Sequence, residues 1–314
     1  MKRLIIPVLI LVALLAAYLL IQNSKTKSVT QERISNFLNL SEADITNFKI
    51  ERTGSSLDFN RVEAGWTVMV DSVACRADSA QVSEIVAMCA NIEVGEVESD
   101  NPKKQGLYQV DGLTGTRITF YNNQDELSSV IVGRNSQGYN YSYVRKPSSN
   151  LVYSGKGAKG ALLSKPVANF RDKNIIQIDT STLVSINFEL RDESFTLKRA
   201  DSLWFLSVLE SSAEQPVSAD TLELFKRQLV NLRADDFLNQ SDSNFAIMNP
   251  PELIVTLKYQ NGNSDKLSLI GGDNSKTRYF IRREGVNETY MIQYSKYGQL
   301  LKGSNNFLSG EKNG

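Results

Sequence analysis

The feature that most constrains this chain is that it repeats itself. Ser129–Lys146, SVIVGRNSQGYNYSYVRK, runs from an apolar stretch through a glycine and a polar turn to an aromatic strand ending on two basic residues, and the same order returns at Ser268–Arg283, SLIGGDNSKTRYFIRR. Val132-Gly133 aligns with Ile270-Gly271 at a spacing of 138, and Tyr143–Lys146 with Phe280–Arg283 at 137. The two tryptophans, Trp66 and Trp204, are also 138 apart, and Val68 and Val70 align with Leu206 and Val208 at that spacing. Leu162-Leu163 returns as Leu300-Leu301, and Asn169-Phe170 as Asn306-Phe307. A period this long means two domains rather than a solenoid of short repeats, which suits 314 residues at about 150 per domain.

Within each copy the pattern is mostly that of half-buried strands. Thr46, Phe48 and Ile50 alternate, then Leu57 and Phe59, then Trp66, Val68 and Val70; the second copy answers with Val184, Ile186, Phe188 and Leu190, then Phe195 and Leu197, then Trp204, Leu206 and Val208. Asp78–Gln81, DSAQ, reads as a capping box opening a helix over about 79–92, with Val82, Ile85, Val86 and Cys89 on one face. Asp220–Glu223, DTLE, reads as its counterpart 142 positions on, which implies four residues inserted around 211–216 and leaves Leu222, Phe225, Leu229 and Leu232 about one residue out of phase. The expected fold class is α+β: an N-terminal transmembrane helix, then two tandem copies of a mostly antiparallel sheet domain of six or seven strands with one helix each. The boundaries that follow are an anchor at 1–23, a juxtamembrane segment at 24–44, repeat domains at 45–170 and 184–308 joined by a linker at 171–183, and a tail at 309–314.

Leu4–Ile21, LIIPVLILVALLAAYLLI, is uncharged. Its eighteen residues at ~1.5 Å each reach roughly 27 Å, enough for a bilayer core. A cleaved signal peptide is the competing reading, but Ala16-Ala17 lie inside the run and Leu19-Leu20-Ile21 follow them. With Leu4 and Ile21 as its ends, the run reads as an uncleaved single-pass anchor, N-terminus cytoplasmic and body outside the cytoplasm.

The absence of histidine removes Ser-His-Asp triads, Cys-His dyads and His-ligated zinc or haem. Lys+Arg and Asp+Glu are 35 each, so nothing offers nucleic acid a basic face. Cys75 and Cys89 lie on either side of the helix start at a separation too long for a disulfide, and read as free thiols. Gly155–Gly160, GKGAKG, fits G-x-G-x-x-G with Asp179 downstream, yet no βαβ pattern surrounds it, so it reads as a connector. Ser24–Lys27 lacks the partner motifs of an S-x-x-K enzyme, and Asp235, Asp236 and Asp242 lack calcium-loop spacing. No catalytic, cofactor or metal residue is expected. Tyr139, Tyr141 and Tyr143 share one strand face and could stack on a sugar or peptide, or simply line a half-buried sheet.

The order of these parts resembles a domain-of-unknown-function family of membrane-anchored envelope proteins, often encoded beside gliding-motility-type ABC transporters. The residues that carry the resemblance are Trp66, Ala77-Asp78, Gly106–Tyr108, Gly133, Tyr143 and Phe170–Asp172, with Trp204, Ala219-Asp220, Gly271 and Phe280 in the second copy. Asn244–Ala246 departs from the Gly-Leu-Tyr turn. The resemblance implies an envelope location and ABC transporter subunits as partners, with no established chemistry. The expected function is a non-enzymatic, membrane-tethered protein-interaction module, its sheet edges accepting a partner by strand addition or flat contact. The alternative is a cell-wall glycan or small-ligand binding domain using the tyrosine face.

Overall fold

A computed structural model of the chain describes residues 34–136, 138, 140–208, 213–238, 250–272 and 278–308. The apolar run Leu4–Ile21 and Ser24–Lys27 lie outside the described residues, as do Tyr139 and Asp242. Among the described residues no helix is long and apolar enough to cross a membrane.

There are two nine-stranded antiparallel sheets. The first comprises β1 (Asn47–Arg52), β2 (Ser55–Val62), β3 (Gly65–Val70), β4 (Val73–Arg76), β5 (Glu93–Ser99), β6 (Thr116–Asn122), β7 (Asp125–Asn135), β8 (Tyr141–Arg145) and β9 (Val152–Lys156). The second comprises β10 (Leu183–Leu190), β11 (Ser194–Ala200), β12 (Leu203–Val208), β13 (Gln215–Pro216), β14 (Asp236–Phe237), β15 (Leu253–Tyr259), β16 (Ser264–Ile270), β17 (Tyr279–Arg283) and β18 (Thr289–Ile292). Their orders are β4-β3-β2-β1-β6-β7-β8-β9-β5 and β13-β12-β11-β10-β15-β16-β17-β18-β14, the same path nine strands later. Trp66 and Trp204 are each the second residue of the third strand along the chain. Each sheet therefore carries more strands than the alternation of apolar residues predicted.

The extra strands are those with weak sequence signals. β4 closes a hairpin whose turn residues, Asp71 and Ser72, both have positive φ (47° and 68°), the geometry of a tight primed turn without the usual Asn-Gly. β5, EVGEVES, is acidic and pairs with β9 through register shifts. β13 and β14 have two residues each.

Aromatic pairs mark equivalent places in the two cores. Phe48 opposes Phe59 across β1 and β2, with rings stacked 4.5 Å apart. Phe188 opposes Phe195 across β10 and β11, stacked at 4.6 Å. Phe225 and Phe307 complete the second cluster. In β1, β2, β10 and β11 the alternation reflects one face turned to this core and one towards solvent, whereas β6, β7 and β17 bury residues on both faces.

The main helices are α1 (Ser79–Ala90) and α2 (Ala219–Val230). Asp78 caps α1, its Oδ1 accepting from the backbone N–H groups of Ala80 and Gln81. The cap of α2 is Ser218, not Asp220: Ser218 is extended and its side chain accepts from Thr221 N–H. Asp220 instead sits in the first turn, where a carboxylate suits the helix dipole. The backbone N–H groups of Asp78 and Ser218 each donate to a phenylalanine carbonyl, Phe170 and Phe307 respectively. The caps are thus 140 positions apart, the insertion is two residues rather than four, and the faces fall into phase: Val82 with Leu222, Ile85 with Phe225, Cys89 with Leu229.

The edges of both sheets are partly covered by neighbouring chain. Ile34 exchanges backbone hydrogen bonds with Val94 on β5, and Phe37 N–H donates to Ile92 O, so the described part of the segment 24–44 packs against the first sheet. In the second sheet, Ile175 N–H donates to Leu232 O and Ala234 N–H to Lys173 O just before β14. Ala77, just past β4, bridges Arg171, and Val217, just past β13, bridges Leu308. By contacts the chain divides into two compact units, one of residues up to Asn60 with Ser83–Lys165, the other of Arg61–Val82 with the residues from Pro166 onward.

Candidate functional site

In the first unit, β8 places Ser142 and Val144 in the core and leaves Tyr141 and Tyr143 half-buried on the opposite face. The Tyr143 ring is already occupied. Tyr108 meets it edge-on at 4.7 Å, and the Arg134 guanidinium lies over it at 5.1 Å, itself fixed by a hydrogen bond from Nε to Leu107 O at 2.7 Å. Tyr141 lines a separate cleft of about 230 Å³ with Glu93, Glu96, Glu98 and Lys156. Of the three tyrosines the sequence singles out, two are described, and one of these is covered by its own neighbours.

Arg145, the first basic residue after the tyrosines, is buried. It donates from Nε to Val110 O at 2.9 Å and from Nη1 to Ser149 O at 2.8 Å, clamping two loops. Burial lowers its pKa, and the surrounding carbonyls satisfy the cation that remains. Gly155–Gly160 is no phosphate loop. It leaves the antiparallel β9, turns at Gly157 (φ 88°) and starts a single-turn helix, Gly160–Leu163. A Cβ on Gly155 would press on Val144, which is reason enough for that glycine. Asp179 caps the turn at Ser181. Asp235 accepts from Gln293 N–H and pairs with Lys296, and among the described residues no cluster could hold a metal ion.

The second unit holds two arrangements that sequence reasoning missed. The first is a buried ion pair. Arg171 Nη2 meets Glu288 Oε1 at 2.8 Å, with the two side chains 8% and 5% exposed. The Phe237 ring lies 3.6 Å from the guanidinium carbon, and Tyr290 OH donates to Glu288 Oε2 at 3.1 Å. Burial pushes the Tyr290 phenol up to about 12. Cys75 lies beside this pair around a cavity of about 90 Å³, and burial raises its thiol to about 11. Such a thiol stays protonated at neutral pH and is a poor nucleophile. Cys89 is buried in the core with its pKa raised by the same cause, and both cysteines are free, as their spacing requires.

The second arrangement is a cleft of about 380 Å³ at the start of α2 and the ends of β11 and β12. Trp204 forms part of its wall, Leu203 stands 66% exposed at its rim, and Arg199 and Lys226 supply positive charge. The Lys226 ammonium lies 4.8 Å from the Trp204 ring and 2.8 Å from Glu223 Oε1. Lys226 occupies the helical position that Val86 holds in α1, a buried polar residue on a core face. Once the caps are aligned at 140, that substitution is visible in the sequence; at 142 it is hidden.

A family model described as a domain of unknown function (DUF4340) matches residues 68–246, from within β3 through α1, the rest of the first sheet, the second-sheet strands β10–β14 and α2. No curated protein and no solved structure matches the chain. The match takes in more than half of the 314 residues and includes both helices, Arg171 and the Trp204–Lys226 pair: the chain belongs to the DUF4340 family of domains of unknown function.

Proposed function

We propose that the protein is a membrane-tethered binding module of the cell envelope, without catalysis of its own, acting as an accessory to an ABC transporter complex. Leu4–Ile21 would hold it, with the N-terminus cytoplasmic and the body in the periplasm. The observation that carries this reading is the combination of that uncharged run with a body of two sheets sharing one strand order. Such a tandem body, a reading the spacing of 138 also favours, offers repeated rigid surfaces to a partner. Partner contact falls to faces and clefts more readily than to strand addition, because β13 is only two residues long and β5 is already paired to Ile34. The transporter partner rests on the family resemblance.

A reporter fused after Gly314 should be active outside the cytoplasm, and the protein should stay with membranes through a high-salt wash, which weakens charge contacts but not a buried helix. Replacing Leu4–Ile21 with a cleavable signal should weaken crosslinked recovery of a membrane complex, since tethering raises effective concentration. If neither form retains a membrane partner while the released form binds a cell-wall glycan through Tyr139, Tyr141 and Tyr143, the glycan reading replaces this one.

A further inference from the structure

The two copies differ most informatively around their tryptophans. At Trp66 a cation comes from the preceding strand: the Arg61 guanidinium lies 5.6 Å from the ring. Arg199 stands 138 positions after Arg61 and is the cross-strand partner of Trp204, yet it does not cover the ring. It is turned aside, donating from Nε to Asp201 O at 3.0 Å and from Nη1 to Ser181 O at 2.8 Å. The cation over Trp204 comes instead from the helix, through Lys226. In the second copy Arg199 and Lys226 thus both line the cleft beside Trp204.

Burying an ammonium costs several kcal/mol unless a partner offsets it. The partner Lys226 has is a weak one. Glu223 is 61% exposed and three residues away on the same helix, a pairing that contributes only a few tenths of a kcal/mol at a helix surface. The Lys226 side chain itself is 9% exposed. A carboxylate arriving in the cleft would meet a largely buried ammonium, where the attraction is stronger than at an open surface. It would also meet the Arg199 plane, already fixed by its two hydrogen bonds, and the first turn of α2 at Ala219, where the helix dipole favours negative charge. Beside these cations the wall is apolar: Trp204, Leu203, Val217 and Leu222. A cleft of about 380 Å³ lies within the usual size range of small-molecule sites.

We propose that this cleft binds a small amphipathic carboxylate, its anionic end displacing Glu223 from Lys226 and its flat or branched apolar body lying along Trp204 and Leu203.

The test uses full-length protein in lipid nanodiscs carrying Trp66→Phe, so that Trp204 is the sole tryptophan, with empty nanodiscs as the blank. Titration with 4-phenylbutyrate should change Trp204 emission saturably, while the isosteric 4-phenylbutanamide should bind at least about tenfold more weakly, as expected for loss of a charge-assisted contact. Lys226→Met should weaken phenylbutyrate binding by a similar factor. Glu223→Gln should tighten it, because the competing carboxylate is gone. Arg199→Gln, on an exposed side chain, should weaken it without changing the far-UV spectrum, and so guards against misfolding of the Lys226 variant. Equal binding of acid and amide, no saturable response up to millimolar acid, or indifference to both Lys226→Met and Glu223→Gln would overturn the proposal.

Discussion

Arg171 and Glu288, 117 residues apart in sequence, form a direct ion pair with both side chains more than nine-tenths buried. Arg171 Nε has no hydrogen-bond partner. The guanidinium is therefore held by Glu288 and the Phe237 ring rather than by a full set of acceptors. Removing either charge strands the other in a low-dielectric site. Arg171→Met and Glu288→Gln should each destabilise the protein by about 3–5 kcal/mol in urea denaturation. The double variant should lose distinctly less than the sum of the two. Neutral single variants would show that the pair contributes nothing.

The repeated Val/Ile-Gly step makes different demands in the two copies. A Cβ on Gly133 would run into the backbone carbonyls of Tyr108 and Gln109, which cannot rotate away. The nearest atoms to a Cβ on Gly271 are those of the Glu252 carboxylate, the end of a flexible side chain. Gly133→Ala should therefore cost about 3 kcal/mol and Gly271→Ala about 1 kcal/mol or less, read as midpoint shifts in denaturant.

Buried thiols set a stability limit on the alkaline side. Burial raises the Cys75 thiol from 9.0 to about 11, so the folded state favours its protonated form. The unfolded chain gives up that proton first. Stability from this group is therefore fully present below pH 9 and lost as pH rises towards 11. Thermal melts across pH 8–11 should show that decline, and Cys75→Ala should lessen it, leaving the part that Cys89, raised by the same burial, contributes. Neither Cys75 nor Cys89 should react with a thiol reagent at pH 8 until the protein is denatured.

The two helix caps can be told apart by substitution. Asp78→Ala and Ser218→Ala each remove a capping acceptor and should cost about 1 kcal/mol. Asp220→Ala removes only a first-turn charge and should cost less, about 0.5 kcal/mol. The reverse ranking at α2 would restore the cap to Asp220.

Those caps also show where sequence reading reaches and where it stops. Phe48, Ile50, Leu57 and Phe59 alternate cleanly because one sheet face is buried, and their strands were legible. The equivalence of Trp66 and Trp204 was legible because tryptophan is rare. The α2 cap was misplaced because DTLE imitates a capping box two residues inside the true one. That shift of two hid the alignment of Lys226 with Val86, and with it the cleft. β4 and β5 escaped because their signals are a hairpin turn of Asp-Ser and an acidic, bulged strand. The Arg171–Glu288 pair joins residues with no local pattern, and no period could have announced it.

If Leu4–Ile21 anchors the chain, the pairing of Ile34 with Val94 sets the length of its leash. Thirteen steps of chain separate Ile21 from Ile34, and fully extended they span at most about 45 Å. For a chain anchored through Leu4–Ile21, Ile34 therefore cannot stand farther than that from the bilayer, so edge strand β5 stays within reach of a partner's membrane-proximal surface. In a chain so anchored, tension would load the Ile34–Val94 bridge first. Its two hydrogen bonds, with the one from Phe37 N–H to Ile92 O, would part and lengthen the leash before the β5–β9 ladder is strained.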